Sequence, residues 1–147
     1  MEIKNKILDV LDRGVDMTIA TIRDDGYPQA ITVSYVNDGL KIYFGTNPHS
    51  QKAQNIARNP KVSVTVNLPY TSWDQIKGVS LGGDCRKIEA PEELQRAGAL
   101  MLKKFPQTLQ YVSPKDPQEL AMFCVEPKIV SLLDYTQYFG HTDLVTL

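Results

Sequence analysis

Within Phe44-Gly45-Thr46-Asn47-Pro48-His49-Ser50-Gln51-Lys52, a strand-like run ends in small and polar residues and a helical pattern begins at once. Asn47 or Ser50 is the type of residue that caps a helix, and Pro48 suits a first helical position, where a missing amide proton costs nothing. The free amides of that first turn point out of the helix and form an anion site. Thr46 and Ser50 add hydroxyl donors and Lys52 a positive charge, so a phosphate is the anion this set suits. On spacing alone the commoner meaning of such a stretch is a capped surface helix with a solvated lysine. His49, at the helix opening, reads as a surface residue. The rest of the chain shows no paired carboxylates, nucleophile motif or metal cluster of the kinds hydrolases need. Cys85 and Cys124 are isolated, without CxxC spacing or neighbouring histidines, and read as reduced, buried thiols.

The elements that must position this stretch are mostly strands. Ile3, Ile7, Val10 and Leu11 recur at helical spacing before Gly14, giving a short amphipathic helix. From Met17 onward β-branched residues concentrate, and Asp25-Gly26 and Asp38-Gly39 mark hairpins. Ile31, Val33 and Tyr35 alternate with Thr32 and Ser34; Leu40, Ile42 and Phe44 alternate with Lys41, Tyr43 and Gly45; Val62, Val64 and Val66 alternate with Ser63, Thr65 and Asn67. A longer strand over 76–88 contains Gly82-Gly83, suited to a bulge or sharp bend. Helices are expected over 48–58 and 91–104, and a packed loop with one helical turn over 105–117. Strand character returns over 121–126 and 128–134, with Pro127 between them as a bend or edge position, followed by the tail over 135–147.

With 147 residues, 42% of them hydrophobic, the chain suits one domain over 1–147. Sixteen basic and 17 acidic residues leave a formal charge of −1, which gives no footprint for nucleic acid or an anionic membrane. No stretch reaches the roughly 18 apolar residues of a spanning helix, so a soluble, cytoplasmic protein is expected.

The run over 17–66, MTIATIRDDGYPQAITVSYVNDGLKIYFGTNPHSQKAQNIARNPKVSVTV, resembles the core of the pyridoxamine 5′-phosphate oxidase-like FMN-binding split barrels. IKGVSLGGDCRKI over 76–88 is similar to their next long strand, and MFCVEP over 122–127 to a late one. The order of the pieces is what is specific, above all threonine, serine and lysine followed by the Asn59-Pro60 turn into an alternating valine strand.

The resemblance implies a mainly β protein with peripheral helices: a six-stranded antiparallel split β-barrel, homodimeric, with FMN at the subunit interface. Thr46, Ser50 and Lys52 would hold the flavin phosphate, with Asn47 and Gln51 in the same turn. Gln51 stands where many members have an arginine, and Ile31 where the oxidases use another, which lowers the formal charge of the grip. Val33 and Ser34 would lie along the flavin ring. Trp73 and the strand beginning near Gly78 would reach the flavin of the other subunit, although a lone tryptophan after Pro69-Tyr70 more often closes a core than stacks on a ring. Residues 138–142 are similar to the tails of small stress-type members and would bring His141 toward the pocket. The chain lacks the arginine-bearing C-terminal segment of the true oxidases, so vitamin B6 oxidation is not expected.

The function implied is an FMN-dependent oxidoreductase acting on a small-molecule substrate or electron donor. Deazaflavin or haem on the same fold is an alternative, with His49 and His141 the two histidines available to iron. A non-catalytic flavin-binding or redox-sensing protein is another.

Overall fold

The computed structural model describes residues 2–111 and 120–147. The chain runs α1 (Ile3–Arg13), β1 (Asp16–Ile22), β2 (Pro28–Ser34), β3 (Val36–Asp38), β4 (Lys41–Thr46), α2 (Gln51–Arg58) and β5 (Lys61–Asn67). A 3₁₀ turn (Trp73–Gln75) leads into β6 (Lys77–Lys87), α3 (Pro91–Lys104), α4 (Thr108–Tyr111), β7 (Ala121–Asp134) and β8 (Thr142–Thr146). Of the loop expected over 105–117, α4 supplies the helical turn, and 112–117 lie outside the described residues.

All strands join one antiparallel sheet in the order β2-β1-β5-β6-β7-β4-β3, with β8 added to β7. β2 and β3 sit at opposite ends of that order, yet only Tyr35 separates them in sequence. A sheet whose two outer strands are joined by one residue must curl until its ends meet, and the result is a barrel split along one seam.

Three sequence expectations are corrected here. The described residues form eight strands, not six, because the chain breaks at Tyr35 to change sheet edge and the tail contributes β8. Pro127 does not divide two strands. β7 passes through it because the register slips there, Gly82 facing Ile129 and Gly83 facing Pro127, which leaves Lys128 as the extra residue of a bulge. A Cβ on Gly83 would stand 2.5 Å from the Glu126 carbonyl oxygen, so the backbones approach closely only because that residue is glycine. Finally, α2 starts at Gln51, and Pro48 lies in the turn before it.

The barrel interior is filled by alternating inward side chains, among them Met17, Ile19, Ile42, Phe44, Val64, Val66, Leu81, Val130 and Leu132. Phe44 and Phe123 stack with centroids 5.4 Å apart. α1 closes one end with Ile7, Val10 and Leu11, and Tyr35 ties it to the seam by donating its hydroxyl to the Leu11 carbonyl at 2.6 Å. Lys104, from the end of α3, donates to the carbonyls of Gly14 (2.7 Å) and Tyr35 (3.0 Å) and lies 4.1 Å above the Tyr35 ring. Burial lowers its pKa below that of an ordinary lysine. α3 is clamped outside the barrel by Arg86, which meets both carboxylate oxygens of Glu93 at 2.7 and 3.0 Å, while Tyr43 donates to Glu93 at 3.2 Å.

Two central rows of the sheet's outer face carry uncharged, mostly small side chains in register. One row runs Ala30, Ala20, Ser63, Gly82, Ile129 and Thr146, and the next runs Thr32, Thr18, Thr65, Ser80, Ser131 and Leu144. Leu144 is 66% exposed and Ile129 42%. Long charged side chains, which ordinarily solvate an open sheet face, are missing from both rows.

Candidate functional site

The turn from β4 into α2 gathers Thr46, Asn47, Ser50, Gln51 and Lys52. Ser50, not Asn47, caps the helix: its Oγ accepts from the Ala53 amide at 3.2 Å. Asn47 instead shapes the turn by accepting from the His49 amide at 2.8 Å. Thr46, buried, donates its hydroxyl to Ser50 Oγ at 3.2 Å, which leaves the Ser50 proton free to point elsewhere. Among the described residues the amides of Gln51 and Lys52 have no acceptor, as expected for the first turn of a helix. Lys52 is half-buried, and desolvation alone pulls its pKa below the ordinary lysine value. Two free amides, a hydroxyl and an ammonium without a carboxylate partner among the described residues form a donor set that fits a phosphate.

α2 bridges the seam. From β4 it crosses to the β1–β2 hairpin, where the Asn55 amide donates to Thr21 Oγ1 at 3.0 Å and to Gln29 Oε1 at 3.2 Å. Ala53 and Ile56 bury the other side of the helix in the core. Gln29, Ile31 and Val33 share one face of β2 and are half-buried; Val33 packs against the core, and Ser34 points the other way, donating to Asp16 at 3.0 Å. Register pairs Val36 with Tyr43, so the end of β2 and the β4–α2 turn stand on either side of the same seam.

Trp73 and His141 lie elsewhere. Thr46 pairs with Ala121 at the start of β7, whereas Lys77, two residues beyond the Trp73–Gln75 turn, pairs with Asp134 at its end. The two positions are separated by about 40 Å of strand. Trp73 does not close a core, being 68% exposed, and its ring meets Phe139 at 6.0 Å. His141 packs edge-on against Tyr138, its Nε2 is 2.9 Å from Asp143 Oδ2, and its Nδ1 is buried without a partner among the described residues. Within one chain, then, the expected residues fall into two groups at opposite ends of β7.

Sequence reading missed Asn55, Gln29 and Arg58. Asn55 is fully buried, and its Oδ1 accepts from Gln51 Nε2 at 2.8 Å and from the Arg58 guanidinium at 2.9 Å. The available signal was a polar residue four positions after Gln51 on a short helix with an apolar face.

A curled antiparallel half-barrel, open along a seam that one short helix bridges, defines the split-barrel class. The chain belongs to the pyridoxamine 5′-phosphate oxidase family, whose sequence profile matches residues 3–134. It is 26% identical over 133 residues to general stress protein 26 of Bacillus subtilis, covering 90% of this chain and 89% of that protein. Its fold is similar to the crystal structure of general stress protein 26 from Bacillus anthracis, with a TM-score of 0.75, 19% identity and full coverage of both chains. It is also similar to a haem-binding protein from Mycobacterium smegmatis, with a TM-score of 0.79 and 20% identity over 97% of this chain. The chain spans 56% of that haem-binding protein's length.

Proposed function

We propose that the chain is an FMN-binding flavoprotein, with the flavin phosphate on the β4–α2 turn and the isoalloxazine ring along β2, and that it works as an FMN-dependent oxidoreductase. The observation that carries this reading is the donor set of Ser50, Gln51 and Lys52, unanswered among the described residues, beside an open seam. FMN, when bound, supplies hydride or electron transfer, and the protein need only place and surround it. Lys52 and the helix amides neutralise the phosphate, and Thr46 holds the Ser50 side chain in place. The edge of β2, unpaired among the described residues, offers backbone donors and acceptors to a planar polar ligand at Val33 and Ser34.

A homodimer completes the site in this reading. The uncharged, mostly small central rows of the outer face suit close packing of a second copy, and a two-fold arrangement would bring the Trp73 and His141 end of one copy toward the phosphate turn of the other. Cytoplasmic residence is part of the same proposal; no described helix is long and apolar enough to cross a membrane.

A haem reading draws support from the similarity to the Mycobacterium smegmatis protein. Against it, His141 directs one ring nitrogen at Asp143 and buries the other, so only the exposed His49 offers iron a nitrogen as the side chains stand. An absorbance spectrum of the purified protein, recorded before and after FMN addition and gel filtration, tests both. Retained flavin bands at dimer size support the proposal. A Soret band establishes the haem reading, and a colourless protein refutes both. Rapid reduction of bound flavin by a nicotinamide donor then separates an enzyme from a passive binder.

A further inference from the structure

The contact between α2 and β2 is made by side-chain amides whose orientation follows from their partners. Arg58 donates to one oxygen-or-nitrogen end of the Asn55 amide at 2.9 Å. A guanidinium only donates, so that end is Oδ1. The other end is therefore the NH₂, which agrees with its approach to Thr21 Oγ1 and to Gln29 Oε1. Gln51 also meets Oδ1, at 2.8 Å, and must do so with its own NH₂. Asn55 thus uses both donors and both lone pairs while fully buried, and flipping it would set donor against donor. The Gln51 carbonyl oxygen is left over, exposed at the first position of α2, without a partner among the described residues.

We infer that Asn55 is a positioning residue that holds Gln51 with its carbonyl oxygen toward the ligand, so that this position accepts from hydroxyls of the ligand's polyol chain and does not grip its phosphate. The inference rests on the FMN reading above. A phosphate offers only acceptors at neutral pH and is mismatched to a carbonyl oxygen. The ribityl hydroxyls of FMN lie next to its phosphate and can donate. An arginine at this position would be donor-only; Gln51, held as it is, has the opposite polarity.

Two measurements test this. In the protein without ligand, the Gln51 side-chain NH₂ is expected to show slowed hydrogen exchange by NMR, lost in Asn55→Leu and retained in Asn55→Asp, which keeps the acceptor; equal exchange in all three overturns the positioning role. Fluorescence titration with FMN and with riboflavin, which keeps the hydroxyls and lacks the phosphate, tests the contact. Gln51→Leu, an exposed change, is expected to weaken both ligands by the same factor, about fivefold for one neutral hydrogen bond. Weakening of FMN alone would assign Gln51 to the phosphate and overturn the inference, as would no change in either ligand. A wild-type protein that binds neither flavin refutes the FMN reading and the polyol contact together, while the exchange measurement still decides the role of Asn55.

Discussion

Lys52 holds a charge that burial makes less comfortable and that no carboxylate among the described residues relieves. A phosphate would relieve it. Lys52→Ala is expected to weaken FMN binding at least about tenfold, since a charge-assisted contact is worth roughly 1.5 to 3 kcal/mol; titration by flavin fluorescence measures it. The sign of the pH dependence follows from the same group. Its pKa is lowered in the free protein, and a bound phosphate stabilises the ammonium, so affinity should fall as pH rises through that lowered value. FMN titrations from neutral to alkaline pH should show this fall, and Lys52→Ala should abolish it. The cysteines differ in kind: burial pushes the Cys85 thiol up to about 12 and the Cys124 thiol up to about 11. Neither should react with a thiol reagent in the native state, and both should react after unfolding.

At the scale of elements, the bulge in β7 and the clamp on α3 each make a distinct claim. Gly83→Ala forces a methyl group against the Glu126 carbonyl and is expected to cost about 2 kcal/mol by denaturant unfolding. The Arg86 hydrogen bonds hold Glu93 below its ordinary pKa of 4.5. A carboxyl lowered in the folded state stabilises the protein above its unfolded value, and that contribution is lost as pH falls through the folded one. Glu93→Gln should therefore cost about 1 kcal/mol at neutral pH, a modest figure because Arg86 is partly exposed, and should flatten the acid limb of the stability profile. Most elements were legible in the sequence because alternation and helical spacing are local signals. Asp25-Gly26 and Asp38-Gly39 mark their turns through Gly26 and Gly39, both at positive φ. The break at Tyr35 was not legible: Ile31, Val33 and Tyr35 continue one alternation, and only the closing of the sheet decides that the chain changes edge there. Pro127 misled for a related reason, since its tolerance depends on Gly82 and Gly83 in a strand more than forty residues earlier.

For the whole molecule, the site is the part that sequence showed least completely. The phosphate turn is contiguous and could be read directly, whereas Asn55, Thr21 and Gln29 meet only when α2 folds across the seam. Trp73 and His141 could be placed at the site only by analogy, and the fold sets them at the far end of β7. If a second copy supplies them, dimerisation and flavin binding stand or fall together. Ser80→Arg puts a long cation in the middle of the central rows of the outer face, where it is expected to yield a monomer in sedimentation and to abolish FMN retention. A monomer that still retains FMN would show that one chain suffices.

The seam has a consequence for solubility. β2, with the sequence PQAITVS, is a seven-residue sheet edge without a charged side chain, and Pro28 at its first position is its single blunting device. Such an edge is a template for pairing with other chains unless something covers it. A ligand lying along β2 would act as that cover, so light scattering on warming should show the ligand-free protein associating before it unfolds and the loaded protein remaining clear.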